Sequence, residues 1–258
     1  MEMMATIKTR GIVIRKVNFG EADRILTILS SDRGKLRVVA KGVRRTKAKL
    51  AGWLDMFADN QLELAEGRNL DIVTGAIAVK QIATDKLSLQ QTGLMYYLCE
   101  LVDKLIEETI SDGTPSGDVP EVFSLLQESL SAVAEKVLPL NILKTYFEIK
   151  LLTGLGFAPE LYRCVVSGQE LNGEDILYFS YRLGGVFCNG KNQDDFAPEI
   201  SKDGIKLLRL LQKYPLLAII KIKVADETVK EVSGLMSEFV EYTTDRRIKS
   251  LQVLGQLG

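Results

Sequence analysis

The chain of 258 residues carries 33 Lys and Arg against 34 Asp and Glu, with three cysteines and no histidine. Without histidine there is no catalytic triad, no imidazole base near neutral pH and no Cys₂His₂ metal site, which excludes large classes of hydrolase and metalloenzyme. A hydrophobic fraction of 46% and a charged fraction of 26% suit one large globular domain or two to three small ones.

The N-terminus has neither the basic region nor the apolar run of an export signal. It leads straight into alternating residues that predict strands over 6–17, 24–30, 35–41, 61–65 and 70–82. Turns rich in Asp, Asn and Gly separate them at 31–34 and 66–69. Five short strands in about 75 residues predict a small closed barrel of the oligonucleotide-binding (OB) type. Between the third and fourth strands, Trp53 and Phe57 stand at helical spacing beside Leu54. They read first as a helix plugging the barrel, with base stacking as the alternative.

Beyond residue 82 the apolar period changes to 3.6. Leu94, Leu98, Leu101 and Leu105 mark one helical face, and Val122, Leu126, Leu130, Val133 and Val137 mark a second. A loop over 111–118 lies between them, where Asp118 and Pro120 are good helix starters. A helix near 140–153 is apolar on most sides and is expected at the centre of a bundle, and 200–214 and 226–245 predict two more. Residues 159–198 are glycine-rich and irregular. The longest apolar stretches, such as 216–220, fall far short of the roughly 20 residues a membrane helix needs, so a cytoplasmic protein with no membrane partner is expected. The fold class is therefore α+β, with a barrel domain over 1–80 and a mainly helical domain over 81–258.

Charge divides with this boundary. Residues 1–80 hold 15 basic and 9 acidic side chains, a net of +6, and residues 81–258 hold 18 basic and 25 acidic, a net of −7. The densest run holds Arg33, Lys35, Arg37, Lys41, Arg44, Arg45, Lys47 and Lys49 with no acid among them. On a strand, Lys35, Arg37 and Lys41 share one face and Leu36, Val38 and Ala40 the other. One face packs while the other presents cations, and the row continues into a polar loop, so these eight residues are the candidate DNA-binding site. A solvated basic face is the simpler alternative. Arg10, Arg15 and Arg24 are secondary candidates, and Arg246, Arg247 and Lys249 either touch DNA or merely complement a helix C-terminus. No nucleotide-binding glycine motif or nucleophile elbow is present, so neither a catalytic residue nor a cofactor is expected. Glu107 with Glu108, and Asp194 with Asp195, read as solvated pairs rather than Mg²⁺ ligands, and a metal-dependent nuclease has little support.

Residues 11–52, 146–171 and 178–188, with Arg246-Arg-Ile-Lys-Ser-Leu near the end, resemble in order the sequence blocks of the bacterial DNA-repair and recombination mediator family RecO. The resemblance implies an N-terminal OB domain, a helical domain and a small zinc-ribbon-like insertion over 159–198. It implies DNA repair without turnover of a substrate: binding single- and double-stranded DNA, annealing strands, engaging the C-terminal tail of the single-stranded-DNA-binding protein SSB, and acting with RecR to load RecA at the nucleoid. The alternative is an interaction scaffold working mainly through the helical domain, where Lys136, Lys144 and Lys150 offer cations. The chain departs from the family in its ribbon. Cys164-Val-Val-Ser and Cys188-Asn-Gly-Lys each keep one thiol of a two-thiol knuckle, and with no histidine to substitute the insertion is expected to fold without metal, on Leu161, Val166, Phe179 and Phe187.

Overall fold

A computed structural model describes residues 6–46, 48, 50–109, 119–171, 176–188, 196–245, 248 and 250. Five strands close into a barrel: β1 (Thr6–Phe19), β2 (Asp23–Ser30), β3 (Gly34–Ala40), β4 (Asp59–Ala65) and β5 (Asp71–Lys80). Their order around the barrel is β1-β2-β3-β5-β4, closed by β4 pairing back onto β1. All neighbours are antiparallel except β3 and β5, which meet in parallel at Val38 and Asp71. This is the OB-like barrel expected from the alternation. Leu26, Ile28, Val38, Leu62 and Leu64 fill it, each no more than 1% exposed. Leu36, Val38 and Ala40 do lie on the face opposite Lys35 and Arg37, since Val38 pairs with Leu26 while Arg37 pairs with Thr27.

The barrel plug is not helical. Residues 50–57 are turns, in which Leu54 is buried and Phe57, at a φ of 67°, packs edge-on against Tyr96 at 5.0 Å. Phe57 therefore cannot stack a base, whereas Trp53 remains partly exposed.

Helix α1 (Leu89–Leu105) starts at a capping box in which Ser88 and Gln91 satisfy each other's backbone amides. It packs on β1, and α2 (Val119–Glu135) buries Val122, Phe123, Leu126 and Leu130. The compact unit that contains the barrel runs on through both helices to Ala134 and takes in Ile248 and Ser250. Residue 80 thus marks the change from strand to helix, and compactness changes later.

The second unit spans Glu135–Arg247. Its centre is α3 (Leu140–Gly154), flanked by α4 (Lys202–Lys213) and α6 (Asp226–Thr244), with the short α5 (Leu216–Ile219) beside α4. As its nearly uniform apolar character required, α3 is buried on almost every side, which also buries Lys144 and Glu148. Strands β6 (Leu177–Ser180) and β7 (Gly185–Cys188) form an antiparallel hairpin. Phe179 leaves it to meet Phe239 of α6 edge-on at 5.3 Å, and Tyr178 stacks on Phe187 at 5.5 Å. Leu161, Phe179 and Phe187 are core, as expected, but Val166 is exposed because it sits in the turn that follows Cys164.

Candidate nucleic-acid interface

The six described candidate cations do not form one row. Arg33 lies in the β2–β3 turn, and the length of β3, roughly 25 Å at strand rise, separates it from Lys41. Lys35 is nearly buried: its ammonium lies 3.5 Å from the Asp103 carboxylate and also donates to the Asp103 carbonyl. Arg37 stands 4.0 Å from Glu108. That acid arrives because residues 108–109 add to the edge of β3, where Thr109 N–H donates to the Lys35 carbonyl at 2.9 Å. The segment packs so closely that a side chain at Gly34, whose φ is +75°, would strike the Thr109 hydroxyl. Helix α1 and its C-terminal extension thus neutralise Lys35 and Arg37, and Arg33 lies 3.9 Å from Asp32 in its own turn.

The upper half is different. Past β3 the chain turns at Gly42 (φ +65°), Arg45 N–H closes that turn on the Gly42 carbonyl at 3.0 Å, and Val43 anchors it in the core. Lys41, Arg44 and Arg45 are left exposed, and among the described residues none of the three has a carboxylate within ion-pair distance. Lys47 and Lys49 lie outside the described residues.

This loop is fastened to the tip of the β1–β2 hairpin. Arg44 N–H donates to the Ala22 carbonyl at 2.9 Å and its guanidinium to the Gly20 carbonyl at 3.1 Å, while Gly42 N–H donates to the Asp23 carboxylate at 2.7 Å. Arg24 joins the same end through Asn18 at 3.2 Å. Of the other secondary candidates, Arg15 is exposed but bridged to Asp103 at 3.2 Å, and Arg10 is held by Asp59 through two bonds of 2.9 and 2.7 Å. Arg10 is structural. Arg246, Arg247 and Lys249 lie outside the described residues. A cavity of about 660 Å³ flanks β1 and α1, and each of its cations is already paired, Arg15 with Asp103, Lys104 with Glu100 and Lys16 with Asp55.

The helical unit offers fewer cations than its sequence advertises. Lys144 is buried in an ion pair with Glu148 at 3.1 Å, and Lys150 donates to the Gln212 carbonyl at 2.8 Å.

Cys99 is buried in α1, and burial raises its thiol pKa far above the ordinary value. Cys164 and Cys188 share one small apolar cluster with Tyr178, Phe187 and Ala197. Among the described residues no third acidic, thiol or imidazole donor joins them, so the donors present do not fit tetrahedral zinc. Burial pushes the Cys164 thiol up, but the hydroxyl and amide of Ser167 and the amides of Cys188 and Val166 outweigh it and bring it down to about 6. A thiol that ionises near 6 when folded and near 9.0 when unfolded stabilises the fold in full above pH 9, and this contribution is lost as pH falls to 6. The unfolding free-energy difference between wild type and Cys164→Ala is expected to widen from pH 6 to pH 9 in urea titrations. A pH-independent difference would refute the ionised thiol.

Sequence profiles described as "Recombination protein O N terminal" and "Recombination protein O C terminal" match residues 3–82 and 87–252. The chain is 32% identical over 251 residues to a DNA repair protein RecO from Dehalococcoides mccartyi, covering 97% of this chain and 96% of that protein. It is 35% identical over 251 residues to one from Roseiflexus sp., covering 97% and 85%. A third such protein, from Bifidobacterium adolescentis, is 31% identical over 255 residues, covering 97% and 100%.

Proposed function

The chain belongs to the RecO family of DNA repair proteins, and on that premise we propose that it is a mediator of DNA repair and homologous recombination. It binds single- and double-stranded DNA without reading sequence, anneals complementary strands and, with RecR and the SSB tail, promotes RecA loading. The observation that supports this most directly is the cluster of Lys41, Arg44 and Arg45, free of carboxylates among the described residues and fixed to a hairpin of an OB-like barrel. Guanidinium and ammonium groups presented in this way bind phosphates, release counterions and carry no base code. Neutralising two backbones at one surface lowers the repulsion that keeps complementary strands apart.

The profiles that match are those of a recombination protein and not of a catalytic family. No helix among the described residues is long and apolar enough to cross a membrane. A scaffold working through helical-domain lysines is less favoured, because Lys144 and Lys150 are spent inside their own unit and of the three candidates only Lys136 is exposed.

Strand annealing tests the proposal. Complementary oligonucleotides, bare and then coated with SSB, are expected to pair faster with the full chain than alone, and the gain is expected to fade as salt rises. Equal rates with and without protein would overturn it.

A further inference from the structure

The outer face of the barrel carries an apolar strip that nothing in its fold requires. Cross-strand partners on one face of a sheet stand side by side, so the register fixes which residues are neighbours. Val17 pairs with Ile25, and Ile25 with Val39, which makes one apolar row across β1, β2 and β3. One step toward the hairpin tip, Phe19 pairs with Asp23. One step the other way, Arg15 pairs with Thr27, and Thr27 with Arg37. The rows are about 7 Å apart, two residues of strand rise.

Phe19 is 54% and Val17 45% exposed, while Ile25 and Val39 are half-buried. A lone exposed ring needs no explanation, but Phe19 adjoins Val17 and the apolar row beside it, and a contiguous apolar patch rimmed by charge points to a ligand. The tip is also held in place: the bonds from Arg44 to Gly20 and Ala22, and from Gly42 to Asp23, tie it to the basic loop. Cations unpaired among the described residues stand at one end of the strip, Lys41, Arg44 and Arg45, while at the other end Arg15 and Arg37 are paired with Asp103 and Glu108. The acids nearby are largely engaged, Asp23 by Gly42, Asp103 by Arg15 and Lys35, and Glu108 by Arg37. Glu21 in the turn is exposed.

An aromatic ring over an apolar floor with a cluster of unpaired cations beside it suits a polyanion that carries flat apolar groups. We propose that Phe19 stacks an unpaired base of single-stranded DNA, with Val17, Ile25 and Val39 as the floor and the flanking cations on the adjoining phosphates. The inference rests on the DNA-binding reading above and adds to it a preference for strands whose bases are free. In a duplex both faces of each base are already stacked, so the ring has nothing to receive, while the phosphates remain available to the cations.

The test compares Phe19→Ala with wild type by fluorescence anisotropy, using a labelled oligothymidylate and a labelled duplex at fixed salt. Single-strand affinity is expected to fall about five- to 150-fold, the range that follows from removing one stacked aromatic. Duplex affinity and both salt slopes are expected to hold, because a phenyl ring displaces no counterions. Phe19→Tyr is expected to restore single-strand binding, and an unchanged melting temperature for both variants excludes misfolding. Equal losses on both DNAs, or no loss on either, would overturn the stacking role and leave the strip to a protein partner. A Lys41→Ala/Arg44→Ala/Arg45→Ala variant measured in parallel separates the two readings. If it weakens binding while Phe19→Ala does not, only the stacking falls; if neither weakens binding, the DNA-binding surface itself is elsewhere.

Discussion

Replacing Lys41, Arg44 and Arg45 together by alanine is expected to flatten the log–log dependence of single-strand affinity on salt by about 2, since each lost phosphate contact removes roughly 0.7. Wild type and variant then differ most at low salt. Their affinity ratio shrinks roughly twentyfold between 50 and 200 mM, and this follows from the slope alone. Arg44 also ties the hairpin to the loop through Gly20, so its loss has a structural component. The charge-retaining Arg44→Lys/Arg45→Lys variant controls for that: it loses the guanidinium bond and keeps the counterion slope. Arg33→Ala serves as the internal comparison, because Arg33 lies at the far end of β3. Its slope is expected to match wild type. An unchanged slope in the triple variant would move the phosphate contacts off this loop.

That contrast shows how far the site could be read from residue order. The barrel was legible because period-two alternation in 6–17, 24–30 and 35–41 leaves one face to bury, and the strands observed there lie within a few residues of those limits. The basic run was legible as a run. Its division was not, because the acids that cancel Lys35 and Arg37 are Asp103, in the last turns of α1, and Glu108, just past its end, some 70 residues further on. Local sequence carries no signal for that contact. Phe19 was missed for the opposite reason. It ends a strand at a position where the pattern of burial has already stopped, so neither periodicity nor composition singles it out, and only its exposure beside Arg44 gives it meaning. The helix expected at Trp53 and Phe57 failed because i, i+4 spacing describes a helix face only when the backbone is helical, and at Phe57 the φ of 67° is left-handed.

Lys144 is the clearest case of a residue whose type misleads. On a surface helix a lysine reads as solvated, but α3 is apolar on nearly every side, and a charge on such a helix has to be paired where it stands. Glu148, one turn on, supplies the partner at 3.1 Å. From α6 the Ser233 carbonyl and hydroxyl accept from the ammonium at 3.0 and 3.3 Å, and the Ser237 hydroxyl accepts as well. The pair thereby joins the two longest helices of the second unit, and its side chains are no more than 8% exposed. Removing one partner leaves the other charged in a dry interior, which costs about 3–5 kcal/mol. Glu148→Ala is therefore expected to lower the unfolding free energy by that amount in urea titrations. Glu148→Gln, which keeps an acceptor for the ammonium, is expected to cost less. Removing both charges in Lys144→Met/Glu148→Leu is expected to be close to neutral, because the double replacement leaves no orphaned ion and gains apolar packing. A loss below about 1 kcal/mol for Glu148→Ala would show that the serines alone satisfy Lys144. A double variant no more stable than Glu148→Ala would show that the pair itself, rather than the avoidance of an unpaired charge, holds α3 to α6.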